Sequence, residues 1–136
     1  MSTLEQMRKS PAVADFCEPL PRLIDAGTAD LSRGFRRLGE LAGTGQKEPV
    51  TLGFHIEGDT ARYWRLRVGP DGPRLTEEPP DDVKAPRPDV EVFTGEQTWR
   101  EIAEGTLAPI TAIIAGRMRF RGDVAAARRV VRLLRP

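Results

Sequence analysis

The chain has 136 residues, of which 39% are hydrophobic and 30% charged, and its formal net charge is +1. This length fits one domain, and a charge close to zero does not favour nucleic acid as a partner. The one cysteine, Cys17, cannot form an intramolecular disulfide, and no apolar run approaches the length of about 18 residues that a membrane-spanning helix needs. The N-terminus also lacks a basic flank followed by an apolar core. We therefore expect a cytoplasmic protein.

The first third of the chain is predicted to cap the rest. Residues 1–19 show little periodicity, and prolines limit any helix there to short pieces. Over residues 20–41, apolar residues recur near helical spacing, which predicts one or two helices interrupted near Gly27. The glycine-rich stretch that follows predicts a loop and lacks the spacing of a phosphate-binding loop. The predicted organisation is one compact domain, in which an arm and helices over residues 1–49 cap a core over residues 50–136.

Alternating apolar and polar residues predict strands in the middle of the chain. Two such runs flank a turn at Gly58-Asp59, which predicts an antiparallel hairpin. A brief third strand is predicted over 74–76. A proline-rich connection then leads to a fourth strand at Val90 to Val92. The apolar positions of the hairpin are Leu52, Phe54, Ile56, Trp64, Leu66 and Val68.

The polar residues of these strands are predicted to form a second, solvated face of the sheet. Glu91 lies between two apolar residues of the fourth strand, so its side chain belongs to this face. We expect it to meet an arginine of a neighbouring strand, because opposite charges pair favourably across a sheet. The candidates are Arg65, Arg67, Arg119 and Arg121.

The last third of the chain predicts helices on both sides of one short strand. A helix over 96–104 has Thr94 as its expected cap and Gly105 as its stop, and a second short helix has Pro109 in its first turn. Met118 and Phe120 point to one side of the strand that follows. Gly122-Asp123 ends that strand and supplies an N-cap for a terminal helix, whose arginines are predicted to form a solvated face.

Several motifs stand in a characteristic order between about Val50 and Leu134. They are Trp64-x-Leu66-x-Val68, then Asp89-Val90-x-Val92, then Trp99-x-x-Ile102-x-x-Gly105-Thr106-Leu107-x-Pro109, then Gly116-Arg117-Met118-Arg119-Phe120-x-Gly122-Asp123. In this order the chain resembles the sterol carrier protein (type two) family of lipid-transfer domains. The resemblance implies an α+β fold with a single five-stranded, mainly antiparallel sheet and helices packed on one face. It also implies an apolar tunnel between the two layers, which binds sterols, fatty acids or acyl-CoA.

We therefore predict a non-catalytic carrier of an apolar small molecule of the sterol, fatty acid or fatty acyl-CoA class. The segment from Trp99 to Phe120 supports this, because it carries far more apolar surface than one short strand needs to cover. No cofactor, metal or nucleic acid is expected. A transient contact with a membrane surface is expected. The predicted ligand-binding residues are Phe54, Trp64, Leu66, Trp99, Ile102, Leu107, Ile110, Ile113, Ile114, Met118 and Phe120.

Two other classes of function stay open at this stage. One is a small biosynthetic enzyme, of the cyclase or hydrolase type, that uses the same pocket on an apolar intermediate. His55, the only histidine, shares a strand face with Glu57 and could act as a base, with Asp59 or Tyr63 as further polar groups. The alternation of residues nevertheless places His55 and Glu57 on the solvent side of the sheet. The other class is an accessory domain that binds a protein partner through the sheet face.

Overall fold

The structure, a computed structural model, describes residues 16–43, 47–79 and 86–134. Most of the predicted N-terminal arm and the middle parts of the glycine-rich loop and of the proline-rich connection lie outside the described residues. In chain order the elements are α1 (Ser32–Gly43), β1 (Val50–Glu57), β2 (Arg62–Val68), β3 (Arg74–Glu78), β4 (Val90–Gly95), α2 (Glu96–Ala103), α3 (Pro109–Ile114), β5 (Met118–Gly122) and α4 (Val124–Leu134).

The five strands form one mixed sheet in the order β3-β2-β1-β4-β5. Strand β1 is antiparallel to β2 and parallel to β4, and the other two pairs are antiparallel. The parallel pair arises because β4 does not follow β1 through a tight turn. The chain first forms β2 and β3 on one side of β1 and then returns across the sheet to its other side. The predicted α+β fold with five strands is thus confirmed, with one parallel pair at its centre.

The pairing register aligns residues of neighbouring strands in rows that run across the sheet. Trp64, Phe54, Val92 and Phe120 are direct neighbours in one row, and Tyr63, His55, Phe93 and Arg119 in the next. Because strand side chains alternate, the two rows point to opposite faces. We call the face with Phe54 the inner face, which the helices cover, and the face with His55 the outer face.

Helix α1 lies very close to the inner face where it crosses β2 and the turn after it. A Cβ atom added at Gly39 would be 2.6 Å from Cβ of Pro73 and 3.0 Å from Cδ1 of Leu66. Only a residue without a side chain fits at that distance. Phe35 of the same helix is fully buried, so α1 is a structural part of the core.

The predicted helix over residues 20–41 is wrong in its first half. The chain from Leu20 to Asp30 is irregular, and α1 begins at Ser32. The apolar residues that suggested helical spacing there are nevertheless buried: Leu20, Leu23, Ile24 and Leu31. Their spacing reflects packing of an irregular segment on the core, and the backbone nitrogens of Leu23 and Ile24 donate to the carbonyl of Ala103 at 2.7 and 3.2 Å.

The signals for the ends of the C-terminal helices are mostly confirmed. Gly105 has a φ of +81° directly after α2, Pro109 is the first residue of α3, and the backbone nitrogen of Ala126 donates to Oδ1 of Asp123 at 3.1 Å. The prediction for Thr94 is wrong, because the N-cap of α2 is Gly95. The hydroxyl of Thr94 instead donates to the carbonyl of Arg117 at 3.0 Å, where it ties β4 to the start of β5.

Candidate functional site

An apolar cavity of about 60 Å³ lies between the inner face of the sheet and the helices. Its walls come from the irregular segment before α1, from α1, β1, β4, α2, the start of α3, β5 and α4, and every side chain in them is hydrophobic. The lining residues are Phe16, Leu20, Leu38, Leu52, Phe54, Val90, Val92, Trp99, Ile102, Pro109, Met118, Phe120, Ala127, Val130, Val131 and Leu134.

Helix α4 covers the cavity with one apolar stripe. Ala127, Val130, Val131 and Leu134 follow each other at steps of three, one and three residues, so they share one side of the helix. All four are buried and all four line the cavity. The Asp123 cap fixes where this helix starts and therefore which side of it faces the sheet.

Four aromatic rings pack together at one side of the cavity, and two of them, Phe54 and Trp99, line it. Phe35 of α1 stacks on Trp99 of α2 with a centroid distance of 4.6 Å and an interplanar angle of 14°. It also contacts Phe54 at 4.4 Å and Trp64 at 5.1 Å. Phe35 is fully buried among these rings, so they tie α1 to this side of the cavity.

The opposite side is closed by the chain before α1. Phe16 is buried and packs against the ring of Phe120, with 5.3 Å between the centroids. Phe120 is only partly buried, so this side of the cavity is close to solvent. Leu20 adds a second apolar side chain from the same segment.

Of the predicted ligand-binding residues, five line this cavity: Phe54, Trp99, Ile102, Met118 and Phe120. Trp64, Leu66 and Ile110 are buried in the core without lining it. Leu107 and Ile113 are half-buried against the core, and Ile114 is 47% exposed. Helix α3 has only six residues, so its apolar side chains cannot all face the sheet. Whether these residues bind a ligand stays a prediction.

The sequence reasoning missed most of the cavity's cover. Leu52, Val90 and Val92 lie on the strand face that was predicted to be apolar, so the alternation could have included them. The stripe on α4 was recognised as apolar but not connected with the cavity. No local signal places Phe16 there, because the chain around it is irregular and its position depends on contacts with distant residues.

The residues considered for catalysis lie on the outer face or, for Asp59, in the turn after β1. His55 stacks on Phe93 with a centroid distance of 4.3 Å, and its Nε2 is 3.3 Å from Oε1 of Glu91. Nε of Arg121 donates to the other carboxylate oxygen of Glu91 at 2.6 Å. Glu57 and Asp59 are exposed. None of the four candidates, His55, Glu57, Asp59 and Tyr63, lines the cavity, so the enzyme hypothesis loses the residues that motivated it.

The predicted pairing of Glu91 with an arginine is confirmed, whereas the predicted solvation of this face is wrong in part. Glu91 is 7% and Tyr63 6% exposed. A Cβ atom added at Gly53 would be 2.6 Å from the hydroxyl oxygen of Tyr63 and 2.9 Å from Cγ of Pro88. The end of the connection from β3 therefore crosses the outer face, where Nη1 of Arg65 donates to the carbonyl of Pro86 at 2.7 Å.

Charge pairing decides the state of the buried carboxylate. Burial raises the pKa of Glu91, but hydrogen bonds from Arg121 and His55 outweigh that effect and leave the pKa below its ordinary value. Burial raises the pKa of Tyr63, against the opposing charge of Arg65. At neutral pH the outer face thus holds an ionised Glu91 and a neutral Tyr63, and neither is poised as a catalytic base.

A metal site and a membrane span find no support in the part of the chain that the structure describes. No group of three or more histidine, cysteine, aspartate or glutamate residues there could hold a metal ion. None of the helices over 16–43, 47–79 and 86–134 has the length and apolar character needed to cross a bilayer.

The model of the SCP-2 sterol transfer family matches residues 39–135, which is well over half of the chain. The chain belongs to the SCP-2 sterol transfer family. No curated protein sequence matches it. The matched SCP-2 region contains all five strands and α2 to α4, and thus most of the cavity wall.

Solved structures with this SCP-2 fold occur both as small proteins and as parts of larger ones. Palmitated SCP2L2 from Aedes aegypti has 18% identity and a TM-score of 0.59 over 78% of this chain and 91% of its own. Sterol carrier protein 2 from Yarrowia lipolytica in its apo form has 15% identity and a TM-score of 0.50 over 82% and 80%.

A double mutant of the sec-alkyl sulfatase PisA1, an enzyme from Pseudomonas sp., has 22% identity and a TM-score of 0.62 over 75% of this chain. The chain spans only 16% of the length of that sulfatase. At these identities the three structures show a shared fold. The SCP-2 fold therefore also occurs within a much longer enzyme chain.

Proposed function

We propose that this protein is a non-catalytic carrier that holds an apolar small molecule, of the sterol, fatty acid or fatty acyl-CoA class, on the inner face of its sheet. One observation carries the proposal: a chain of the SCP-2 sterol transfer family encloses a cavity whose lining is entirely hydrophobic. Most polar side chains of the same strands point to the outer face. We place the carrier in the cytoplasm, a location that its single, buried Cys17 suits.

The cavity has to expand to take such a ligand. Its volume of about 60 Å³ is far below the range of about 300–1,000 Å³ that is typical of small-molecule pockets. The irregular segment from Phe16 to Leu31 is the part best suited to move. Its contacts with α2 include two hydrogen bonds to the Ala103 carbonyl and one from Arg100 to the Thr28 carbonyl, and none of the strands in the described ranges pairs with it.

Residues 1–49 are part of this proposal as the cap of the binding core over 50–136. Phe16, Leu20 and Leu38 all belong to this region and all line the cavity. Displacing Phe16 and Leu20 would open the side next to Phe120, while α1 keeps the side with the aromatic rings in place through Phe35.

The energetics suit exchange with a membrane. Burying an acyl chain gains about 0.8 kcal/mol per methylene relative to water, and a bilayer offers nearly the same gain. The transfer of cargo between cavity and bilayer is therefore close to balanced. Exposed arginines on the two helices that cover the cavity, Arg33 and Arg36 of α1 and Arg129 of α4, would draw this side to an anionic membrane surface, at about 1 kcal/mol for each charge near it.

A pair of alanines on α4 offers a matched test. Ala127 is buried and lines the cavity, whereas Ala125, two residues earlier, is exposed. Leucine at 127 would occupy the cavity, so we expect Ala127→Leu to reduce displacement of a fluorescent fatty acid at least about tenfold while the protein stays folded. Ala125→Leu should leave it unchanged.

Native mass spectrometry of the purified full chain provides the direct observation. We expect a co-purified apolar molecule, which the same fluorescent fatty acid displaces. A chain that carries no such molecule and also fails to bind the probe contradicts the proposal. Equal loss of binding in both alanine variants would instead place the site elsewhere.

A further inference from the structure

The sheet has two edge strands, β3 at one end and β5 at the other. Within the described ranges each pairs with a neighbour on one side only, so its other side presents unpaired backbone donors and acceptors. Both strands have five residues, and three side chains of each are exposed. An open edge of this kind can add a strand from another chain.

The charges of β3 match each other when two copies of this strand lie antiparallel about Thr76. Arg74 then stands opposite Glu78 of the second copy, and Glu78 stands opposite the second Arg74. These three residues alternate along the strand and share the outer face with Tyr63, the neighbour of Glu78 on β2. Opposite charges directly across a ladder stabilise the pairing, so one match supplies two ion pairs.

Other registers of the same pairing are less favourable. A shift by two residues toward Arg74 leaves three residue pairs and removes Glu78 from the contact. A shift by two in the other direction sets Glu77 opposite the second Glu77, and like charges disfavour this register. A shift by one residue would set inner side chains against outer ones. The register about Thr76 is therefore the favoured one.

Arg74 has no acidic partner among the residues that the structure describes. Its neighbour across the hairpin is Arg67, which is also exposed and also unpaired there. Like charges in opposite positions weaken a strand pair, so a carboxylate from a second copy would relieve this contact. Glu78 is 3.2 Å from Nε of Arg65 through one carboxylate oxygen, and a carboxylate has a second oxygen for a further arginine.

The edge at β5 behaves in the opposite way. Antiparallel pairing of β5 with its own copy about Phe120 would set Arg119 opposite Arg121 of the second copy. Both arginines are exposed, so this pairing would create two contacts between like charges. The two edges of the sheet therefore differ: β5 repels a copy of itself, whereas β3 complements one.

We propose that β3 is a homodimer interface, through which two copies of this chain join their sheets into one of ten strands, five from each copy. Directly opposite side chains of an antiparallel pair point to the same face, so the two inner faces continue each other. The helices over both cavities then lie on the same side of the joint sheet. Five paired residues form a small contact, so we expect a weak dimer with a dissociation constant on the order of 10–100 µM.

Reversing the charges tests the register. Sedimentation of the full-length protein at concentrations up to about 1 mM should show a monomer–dimer equilibrium. Arg74→Glu sets acid against acid and Glu78→Arg sets arginine against arginine, so each variant alone should associate at least about tenfold more weakly. An equimolar mixture of the two variants restores both opposite-charge pairs and should dimerise about as strongly as the wild type. Arg119→Glu, a matched change on β5, should leave association unchanged.

A cysteine variant locates the two-fold axis. Directly opposite Cβ atoms of an antiparallel pair lie about 4.5–5.5 Å apart, so Thr76→Cys should cross-link two copies under mild oxidation. Thr51→Cys is the matched control, because Thr51 lies on the same face but on the inner strand β1, away from either edge. The native Cys17 is buried and common to both variants.

These measurements do not involve lipid, so their results leave the proposed carrier function untouched. Association restored only in the mixture, with cross-linking at Thr76 and not at Thr51, supports the β3 interface. A wild type that stays monomeric at about 1 mM, or an Arg74→Glu variant that associates like the wild type, would overturn it. So would a mixture that fails to recover, equal cross-linking at both threonines, or an Arg119→Glu variant that loses association.

Discussion

The two faces of the sheet are built from alternate residues of the same strands, yet they are stabilised in different ways. On the inner face Trp64, Phe54, Val92 and Phe120 form one apolar row under the helices. The adjacent row, on the outer face, contains His55 and Phe93. Cζ of Arg119 lies 4.8 Å from the centroid of the Phe93 ring. In the outer row Nε2 of His55 is paired with Glu91, whereas the inner row has almost no polar atoms.

This difference shows where the protein can hold an apolar molecule. A ligand on the inner face exchanges one apolar contact for another, which costs little once space is made. A ligand on the outer face would have to displace the hydrogen bonds of Glu91 with Arg121 and His55. The comparison therefore supports carriage on the inner face and a structural role for the outer face.

The largest difference in the free energy of unfolding should separate alanine substitutions at Leu66 and Arg67, which are neighbours on β2. Leu66 points to the inner face and is fully buried, whereas Arg67 points outward and is exposed. Leu66→Ala should lower the free energy of unfolding by about 2–5 kcal/mol, because it leaves a cavity in the core. Arg67→Ala should change it by less than about 0.5 kcal/mol. Urea unfolding measures both, and similar losses in the two variants would contradict the division of roles.

Two glycines sharpen the comparison, since each makes a close contact on a different face. A Cβ atom at Gly39 would be 2.6 Å from Pro73, and one at Gly53 would be 2.6 Å from Tyr63. Both alanine variants should lose about 1–3 kcal/mol of unfolding free energy through overpacking. Only Gly39→Ala, which moves α1 away from the sheet, should also alter displacement of a fluorescent fatty acid. An equal change in Gly53→Ala would contradict this.

Acid should destabilise the outer face through Glu91. Its pKa is lower in the folded protein than its ordinary value of 4.5, so its stabilising contribution is complete above that pH and is lost as the pH falls through the lower, folded value. Glu91→Gln should therefore cost about 1–2 kcal/mol at pH 7 and nothing at low pH, where the wild-type carboxyl is also neutral. Unfolding curves at a series of pH values test this, and a cost independent of pH would rule out the charge as its cause.

A small effect on both binding and stability is expected for His55. Its side chain is 31% exposed and lies on the face opposite the cavity. His55→Gln should change lipid binding by less than about twofold and stability by less than about 1 kcal/mol. A large loss of binding, with the fold intact, would return the histidine to the functional site and revive the enzyme hypothesis.

The regular parts of this structure could be predicted from local patterns. Alternation in β1 and β2 identified the residues of the inner face, and Gly105, Pro109 and Asp123 marked the ends of helices through their own backbone chemistry. These signals act over a few residues, so no knowledge of distant contacts was needed.

The limits of the cavity could not be predicted in the same way. Trp64 and Trp99 are both buried aromatic residues of the same cluster, but only Trp99 lines the cavity. A few ångströms of tertiary placement decide between core and cavity wall, and hydrophobicity is the same in both. The buried, irregular segment around Leu20 and Leu23 was misread for a related reason, because apolar spacing reports burial and not backbone conformation.

Methyl-group NMR spectroscopy of the wild-type protein, titrated with a long-chain methyl ketone, tests most directly whether the inner face carries the ligand. We predict that the methyl resonances of Leu52, Val130 and Val131, which line the cavity, shift on binding. Those of Thr51 and Thr76 on the outer face should stay in place. Shifts confined to the outer face, or bound ligand with unmoved cavity methyl groups, would contradict the account.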